Sequence, residues 1–85
     1  MPDGQTYRLP NGEIFIVKRN VEDVRLRLMF DGKPCKDTRD IVKRNGFRWA
    51  RSISAWQRHL NNNGEFALVR VIKLLSATLT DGEGG

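Results

Sequence analysis

Hydrophobic and polar positions alternate along the first half of the chain, as they do in strands that bury one face. The alternation is clearest from Val24 to Phe30, where every second side chain is a large apolar one. An earlier run, Glu13 to Lys18, is short, β-branched and aromatic, and it follows the turn signal Asn11-Gly12. The two runs are therefore predicted to form an antiparallel hairpin joined by residues 20–23.

The spacing of apolar residues changes to a helical one after the turn Asp31-Gly32-Lys33-Pro34. Asp37 favours the positive end of a helix dipole, and Lys43 and Arg44 favour its negative end. Gly46 is a typical stop signal. These features predict a first helix, whose buried stripe consists of Cys35, Thr38, Ile41 and Val42.

The second half repeats the order of two strands and a helix. Two short runs, Phe47–Arg51 and Ala55–Leu60, hold both tryptophans and are separated by a length that suits a tight turn. Asn63 is a candidate N-cap for a second helix, whose apolar positions are Leu68, Val71, Ile72, Leu75 and Leu79. The predicted fold is α+β with the order β-β-α-β-β-α, a four-stranded, mainly antiparallel sheet carrying two helices on one face.

The length of 85 residues predicts a single domain. Its ordered core is expected to run from about residue 7 to residue 79, between polar, Gly-rich tails at 1–6 and 80–85 that should be flexible. The second helix also carries Phe66, Val69 and Leu74, so its apolar stripe is wider than one sheet face needs. This excess predicts a homodimer formed through the segment Phe66 to Leu79.

Charge changes the picture, because the whole excess lies in one third of the chain. The net charge is +5, whereas the segment Lys33 to Arg58 alone has eight basic and two acidic residues. Such a local excess favours a binding patch for a polyanion. The candidate contacts for nucleic acid or another partner are Lys33, Lys36, Lys43, Arg44, Arg48, Arg51 and Arg58. Trp49 and Trp56 are candidates for stacking on bases, but core burial is the commoner role, so at most one is expected to be exposed.

The residue types required for catalysis are not arranged in any recognisable motif. His59 is the only histidine and Cys35 the only cysteine. A single cysteine excludes an internal disulfide and a Cys-based zinc site. His59 is interpreted as a surface or hydrogen-bonded residue, and Cys35 as a buried inert one. We therefore expect no enzyme activity, no cofactor and no metal. The lack of a long apolar run and the single cysteine favour the cytoplasm.

The central segment resembles a motif found in phage and mobile-element proteins. The matching residues are Asn45-Gly46-Phe47-Arg48-Trp49, Ala55-Trp56-Gln57-Arg58 and Leu60-Asn61, within a stretch from about Phe30 to Ile72. In the usual form, Ser-Pro stands at Ala50-Arg51 and Gln at His59. The resemblance implies a small stand-alone phage protein or a module of a DNA-processing polypeptide. The segment is also loosely similar to the small DNA-binding module of annealing helicases.

Two functions from different classes are compatible with these features. The first is a phage-type accessory protein that binds DNA or RNA through phosphate contacts, with little dependence on sequence. The second is a phage anti-defence inhibitor of the anti-CRISPR type, which would bind a host protein or ribonucleoprotein complex. Either would act in the cytoplasm of a bacterial host cell.

Overall fold

The computed structural model describes residues 4–80, which form an antiparallel sheet of six strands with two α-helices. The elements in chain order are β1 (Gly4–Arg8), β2 (Ile14–Asn20), β3 (Arg25–Phe30), α1 (Lys36–Arg44), β4 (Arg48–Ala50), β5 (Ala55–His59), α2 (Asn62–Leu74) and β6 (Thr78–Leu79). A short 3₁₀ turn, Arg51–Ile53, links β4 to β5. The strand order across the sheet is β4-β5-β3-β2-β1-β6. The α+β class is confirmed, but the sheet has six strands where four were predicted.

Both helices cover the same face of the sheet. Alternation along the strands buries every second side chain there, and these residues pack against apolar side chains of α1 and α2. We call this the helix-covered face; its strand residues include Tyr7, Phe15, Val17, Arg19, Leu26, Leu28, Phe30, Trp49, Trp56 and Arg58. The opposite side is the open face, which carries Lys18, Arg25, Arg27, Met29, Arg48, Gln57 and His59.

The two additional strands correct the expected tails. Strand β1 begins at Gly4, where a flexible tail extending to residue 6 was predicted, and it pairs with β2 along its whole length. Its Tyr7 ring stacks on Phe15 with centroids 5.3 Å apart. At the other end, the Thr80 N–H donates to the carbonyl of Thr6 at 2.8 Å. Residues 1–3 and 81–85 of the predicted tails lie outside the described residues.

Helix α2 begins and ends at residues other than those predicted. Its N-cap is Asn61 rather than Asn63, and the Asn61 side chain accepts the Gly64 N–H at 2.7 Å. Its C-terminus is set by Ser76, which adopts a left-handed conformation with φ of 54°. Leu79, predicted to lie on the helix, is therefore an exposed residue of β6.

Helix α1 is attached at its N-terminus to the connection between β1 and β2. The carboxylate of Glu13 accepts the Cys35 N–H and the Thr38 hydroxyl, both at 2.6 Å. Cys35 is the N-cap residue of α1 and is exposed, so the prediction that it lies in the buried stripe is wrong. Thr38 and Val42 are buried as predicted.

Candidate functional site

The predicted basic residues are spread over several parts of the fold rather than gathered in one patch. Lys33 and Lys43 lie beside the tryptophans on the helix-covered side. Arg48 lies on the open face, and Arg51 lies in the exposed turn that follows β4. Lys36 and Arg44 are exposed residues of α1 that do not reach the tryptophans. Arg58, the remaining candidate, is partly buried.

A groove of about 570 Å³ opens beside α1 at the β4 end of the sheet. Its lining residues are Phe30, Gly32, Lys33, Pro34, Arg39, Lys43, Trp49, Ser54 and Trp56. We call this the tryptophan groove. Its apolar floor comes from aromatic residues of the sheet, and its charged side chains come from the turn before α1 and from α1 itself. No acidic residue of the described chain lines it.

The two tryptophans have different surroundings. Trp56 is 4% exposed and belongs to the core, whereas Trp49 is 51% exposed. The rings contact each other, with centroids 5.4 Å apart and an angle of 58° between their planes. Trp56 therefore supports Trp49 from the protein side, and only Trp49 offers a ring surface to a ligand. The expectation that at most one tryptophan is exposed is confirmed.

Three cations lie in the same groove as this ring surface. Lys33, Arg39 and Lys43 all line the tryptophan groove, and none of them forms a salt bridge within residues 4–80. The Lys43 ammonium lies 6.0 Å from the centroid of the Trp56 ring. Arg39 was not predicted as a contact, although its spacing of one helical turn from Lys43 is the signal that places both side chains on one side of α1.

Two other basic residues, Arg19 and Lys36, form salt bridges with carboxylates of the protein. The Arg19 guanidinium donates two hydrogen bonds to Glu65, at 2.7 and 2.8 Å, and lowers the pKa of that carboxyl. The Lys36 ammonium contacts Asp40 at 2.9 Å and lowers the pKa of that carboxyl. These two cations are partly neutralised within the protein, so they contribute less to attraction of an anion than the groove cations do.

Arg58 is a structural residue in this fold. Its guanidinium donates to the carbonyl of Asn45 at 2.6 Å and lies 5.9 Å from the centroid of the Phe47 ring. It fills the space beside Gly46, whose φ of 86° and lack of a Cβ allow the close approach. Arg58 therefore connects β5 to the C-terminal end of α1 and does not project into the tryptophan groove.

A second basic surface lies on the open face, and the sequence pattern does not reveal it. Lys18, Arg27, Gln57 and Arg48 occupy directly opposed positions on β2, β3, β5 and β4, and they form one row across the sheet. Such a row depends on strand register, which the separate segments do not reveal. A hollow of about 480 Å³ adjoins the row, with Lys18, Asn20 and Arg27 in its lining.

The remaining chemistry-bearing residues make no site of their own. His59 is exposed, and its Nδ1 accepts a hydrogen bond from Arg25 at 3.1 Å, since arginine can only donate. In the described part of the chain, no group of three His, Cys, Asp or Glu residues is placed to hold a metal ion. Within residues 4–80, no helix has the length and hydropathy that crossing a bilayer requires.

Helix α2 exposes three large apolar side chains, on which the homodimer prediction depends. Phe66 is 64% exposed, Leu74 60% and Val69 47%. If a second copy covers these side chains, light scattering at about 100 µM should give the mass of a dimer. Phe66→Glu should then shift the mass to that of a monomer, because a carboxylate cannot be buried there without a partner. A monomeric mass for the unmodified protein would contradict the prediction.

Comparison with known proteins gave no match: no family model, curated protein or solved structure matches this chain.

Proposed function

We propose that this protein binds single-stranded nucleic acid in the tryptophan groove, as a small phage-type accessory protein. One base stacks on the exposed surface of Trp49, and the neighbouring phosphates contact Lys33, Arg39 and Lys43. The observation that carries the proposal is this combination: a half-exposed, firmly supported aromatic ring among three cations that have no acidic partner in the described chain. Proteins that bind single strands combine aromatic surfaces and positive grooves in the same way.

The geometry favours single strands over duplexes. A base can stack on a side chain only when its own face is exposed, and duplex bases already stack on one another. The groove volume of about 570 Å³ lies within the range of small-ligand sites and accommodates one or two nucleotides. Direct reading of sequence is not expected, because the three groove cations are assigned to phosphates and the remaining polar lining is one short side chain, Ser54, with no amide or carboxylate.

Phosphate contacts should make this binding strongly dependent on salt. Each phosphate neutralised on a single strand contributes about −0.7 to the slope of log K against log salt concentration. Three groove cations therefore predict a slope of about −2 for a short oligonucleotide, before any further contact is added.

The decisive variant is Trp49→Ala. Loss of one stacked base should weaken binding of a mixed-sequence oligonucleotide by about tenfold or more, since base stacking on an aromatic side chain contributes about 1–3 kcal/mol. The salt slope should stay unchanged, because no phosphate contact is removed. Trp49→Phe is the matched control and should retain most of the affinity, since phenylalanine also offers an aromatic face. Fluorescence anisotropy across a salt series measures both quantities.

A second set of outcomes would favour the alternative function. If the protein binds no oligonucleotide even at about 50 mM salt, the nucleic-acid proposal fails. The anti-defence inhibitor would then be the better proposal, with a host protein or ribonucleoprotein complex as its partner. The observation that favours it is the exposed apolar surface of α2 around Phe66 and Leu74, because apolar contacts resist salt.

A further inference from the structure

The row of basic residues on the open face lies on the side of the sheet opposite the tryptophan groove. We propose that the single strand held in the groove continues around the edge of the sheet, and that its phosphates contact Arg48, Arg27 and Lys18 on the open face. This inference rests on the proposed function, and it names the path and the length of the bound strand.

Strand β4 provides the connection between the two surfaces. It lies at the end of the strand order, so no other strand of residues 4–80 covers its outer edge. Trp49 and Arg48 are consecutive residues of β4, and their side chains therefore lie on opposite faces of the sheet. A nucleic-acid strand whose base stacks on Trp49 has only this edge of the sheet to cross before one of its phosphates reaches Arg48. Arg51 is exposed in the 3₁₀ turn that follows β4.

From Arg48 the row of polar side chains continues across the sheet, because each member lies directly opposite the next one on the neighbouring strand. Arg48 is opposite Gln57, Gln57 is opposite Arg27, and Arg27 is opposite Lys18. Neighbouring strands lie about 4.8 Å apart, so the row spans roughly 14 Å from β4 to β2. A single line of cations of this length is suited to contact the successive phosphates of one nucleic-acid strand. Gln57 holds Arg27 in place, accepting its Nε–H at 3.2 Å.

The charges of this row are unfavourable for the isolated protein. Lys18 lies directly opposite Arg27, and like charges at such cross-strand positions are destabilising. Asp23 offsets only part of this repulsion, through a contact of 3.4 Å with Arg27. Lys18 is exposed and forms no salt bridge within the described residues. A chain of phosphates across the row would relieve the repulsion, and this complementarity identifies a polyanion as the occupant.

The test compares short and long strands, because only a long one can occupy both surfaces. Oligothymidylates of about 4 and about 15 nucleotides bracket the site sizes of known single-strand binding folds. Quenching of tryptophan fluorescence reports binding of both. For the unmodified protein, the longer strand should have the steeper salt slope, since it makes more phosphate contacts.

Lys18→Gln separates the two surfaces. For the longer strand it should reduce affinity several-fold and flatten the salt slope by about 0.7, the amount expected for one lost phosphate contact. Binding of the short strand should be unaffected. The matched control is Lys73→Gln, which removes the same charge from an exposed lysine of α2 that lines neither surface. That control should leave binding of both strands nearly unchanged.

Three results would overturn the inference, and the first two are distinguishable from failure of the groove. If Lys18→Gln affects the longer strand no more than Lys73→Gln does, the strand does not cross the open face. If Lys18→Gln weakens binding of a duplex but not of the single strand, the open face holds a different ligand. In both cases, loss of short-strand binding in Trp49→Ala would still support the groove. If the short strand does not bind the unmodified protein at all, the proposed function itself fails, and this inference with it.

Discussion

Replacing Trp56 by alanine is expected to lower the free energy of unfolding by about 3–5 kcal/mol. The ring is 4% exposed and packs in the core cluster between the sheet and α1. Its loss leaves a cavity that the surrounding strands cannot close, because β5 is held by β3 on one side and by β4 on the other. Domains have only about 5–15 kcal/mol of net stability, so the variant should be close to unfolding at room temperature.

Trp49→Ala is the matched control for this prediction. It removes the same side chain from the neighbouring strand, but the ring is 51% exposed, so the cost should be about 1 kcal/mol. Urea unfolding followed by far-ultraviolet circular dichroism measures both variants without using tryptophan fluorescence, which the substitutions alter. Equal costs for the two variants would contradict the assignment of Trp56 to the core and of Trp49 to the groove.

The two central hairpins and both helices could be predicted because their sequence patterns agree with their environment. Strand β3 alternates cleanly since one face is buried and the other is open. Helix α1 ends at Arg44, just before the glycine that was expected to stop it. In each case the local signal and the tertiary packing favour the same structure.

Strands β1 and β6 could not be predicted, because they depend on pairing rather than on their own composition. Strand β1 contributes a single large apolar residue, Tyr7, to the helix-covered face, and a polar pentapeptide with one aromatic residue has the pattern of a tail. Strand β6 has only two residues and exists because Ser76 reverses the chain after α2. The apolar spacing that includes Leu79 favours continuation of the helix, but the left-handed turn ends it.

The candidate site was predicted only in part, because it too depends on how the strands pair. The sequence identifies the segment that carries the charge, and Lys33, Lys43 and Trp49 do lie together in the tryptophan groove. It does not distinguish the faces of β4 and β5, where one residue of displacement changes a side chain from exposed to buried. Arg58 and Arg48 illustrate the difference: the first connects β5 to α1, and the second lies on the open face. The opposed pair Lys18 and Arg27 was missed because register joins residues from two separate segments.

Glu13→Gln is expected to cost about 2–3 kcal/mol of stability at neutral pH, since hydrogen bonds to a charged group are among the stronger ones. The carboxylate joins β2 to the start of α1 by accepting from the Cys35 N–H, the Thr38 hydroxyl and, at 3.1 Å, the Asn11 amide. A glutamine amide has one acceptor oxygen, and its NH₂ would face either the Cys35 N–H or the Asn11 NH₂. Asn11 cannot simply turn over, because its own oxygen accepts the Glu13 N–H at 2.9 Å.

The cost of Glu13→Gln should also depend on pH, with a sign fixed by the pKa of Glu13. Burial by itself would raise this pKa, but the hydrogen bonds from Thr38, Asn11 and Cys35 outweigh burial, and the pKa lies below its ordinary value of 4.5. The unfolded chain therefore takes up a proton at Glu13 at a higher pH than the folded chain does. Stabilisation by the carboxylate is complete above the unfolded pKa and is lost as the pH falls through the folded pKa.

Urea unfolding at about pH 7 and about pH 3 measures this dependence. The difference between the unmodified protein and Glu13→Gln should be largest at the higher pH and should shrink at the lower one, because Glu13 of the unfolded chain is then protonated and the stabilisation by its carboxylate is partly lost. Glu22→Gln is the matched control: Glu22 is an exposed residue of the β2–β3 loop with no side-chain hydrogen bond or salt bridge within residues 4–80, so its replacement should change stability little at either pH. If Glu13→Gln behaves like Glu22→Gln at neutral pH, the carboxylate does not hold α1 against the hairpin. The position of Lys33, Arg39 and Lys43 around Trp49 would then have to be maintained by core packing alone.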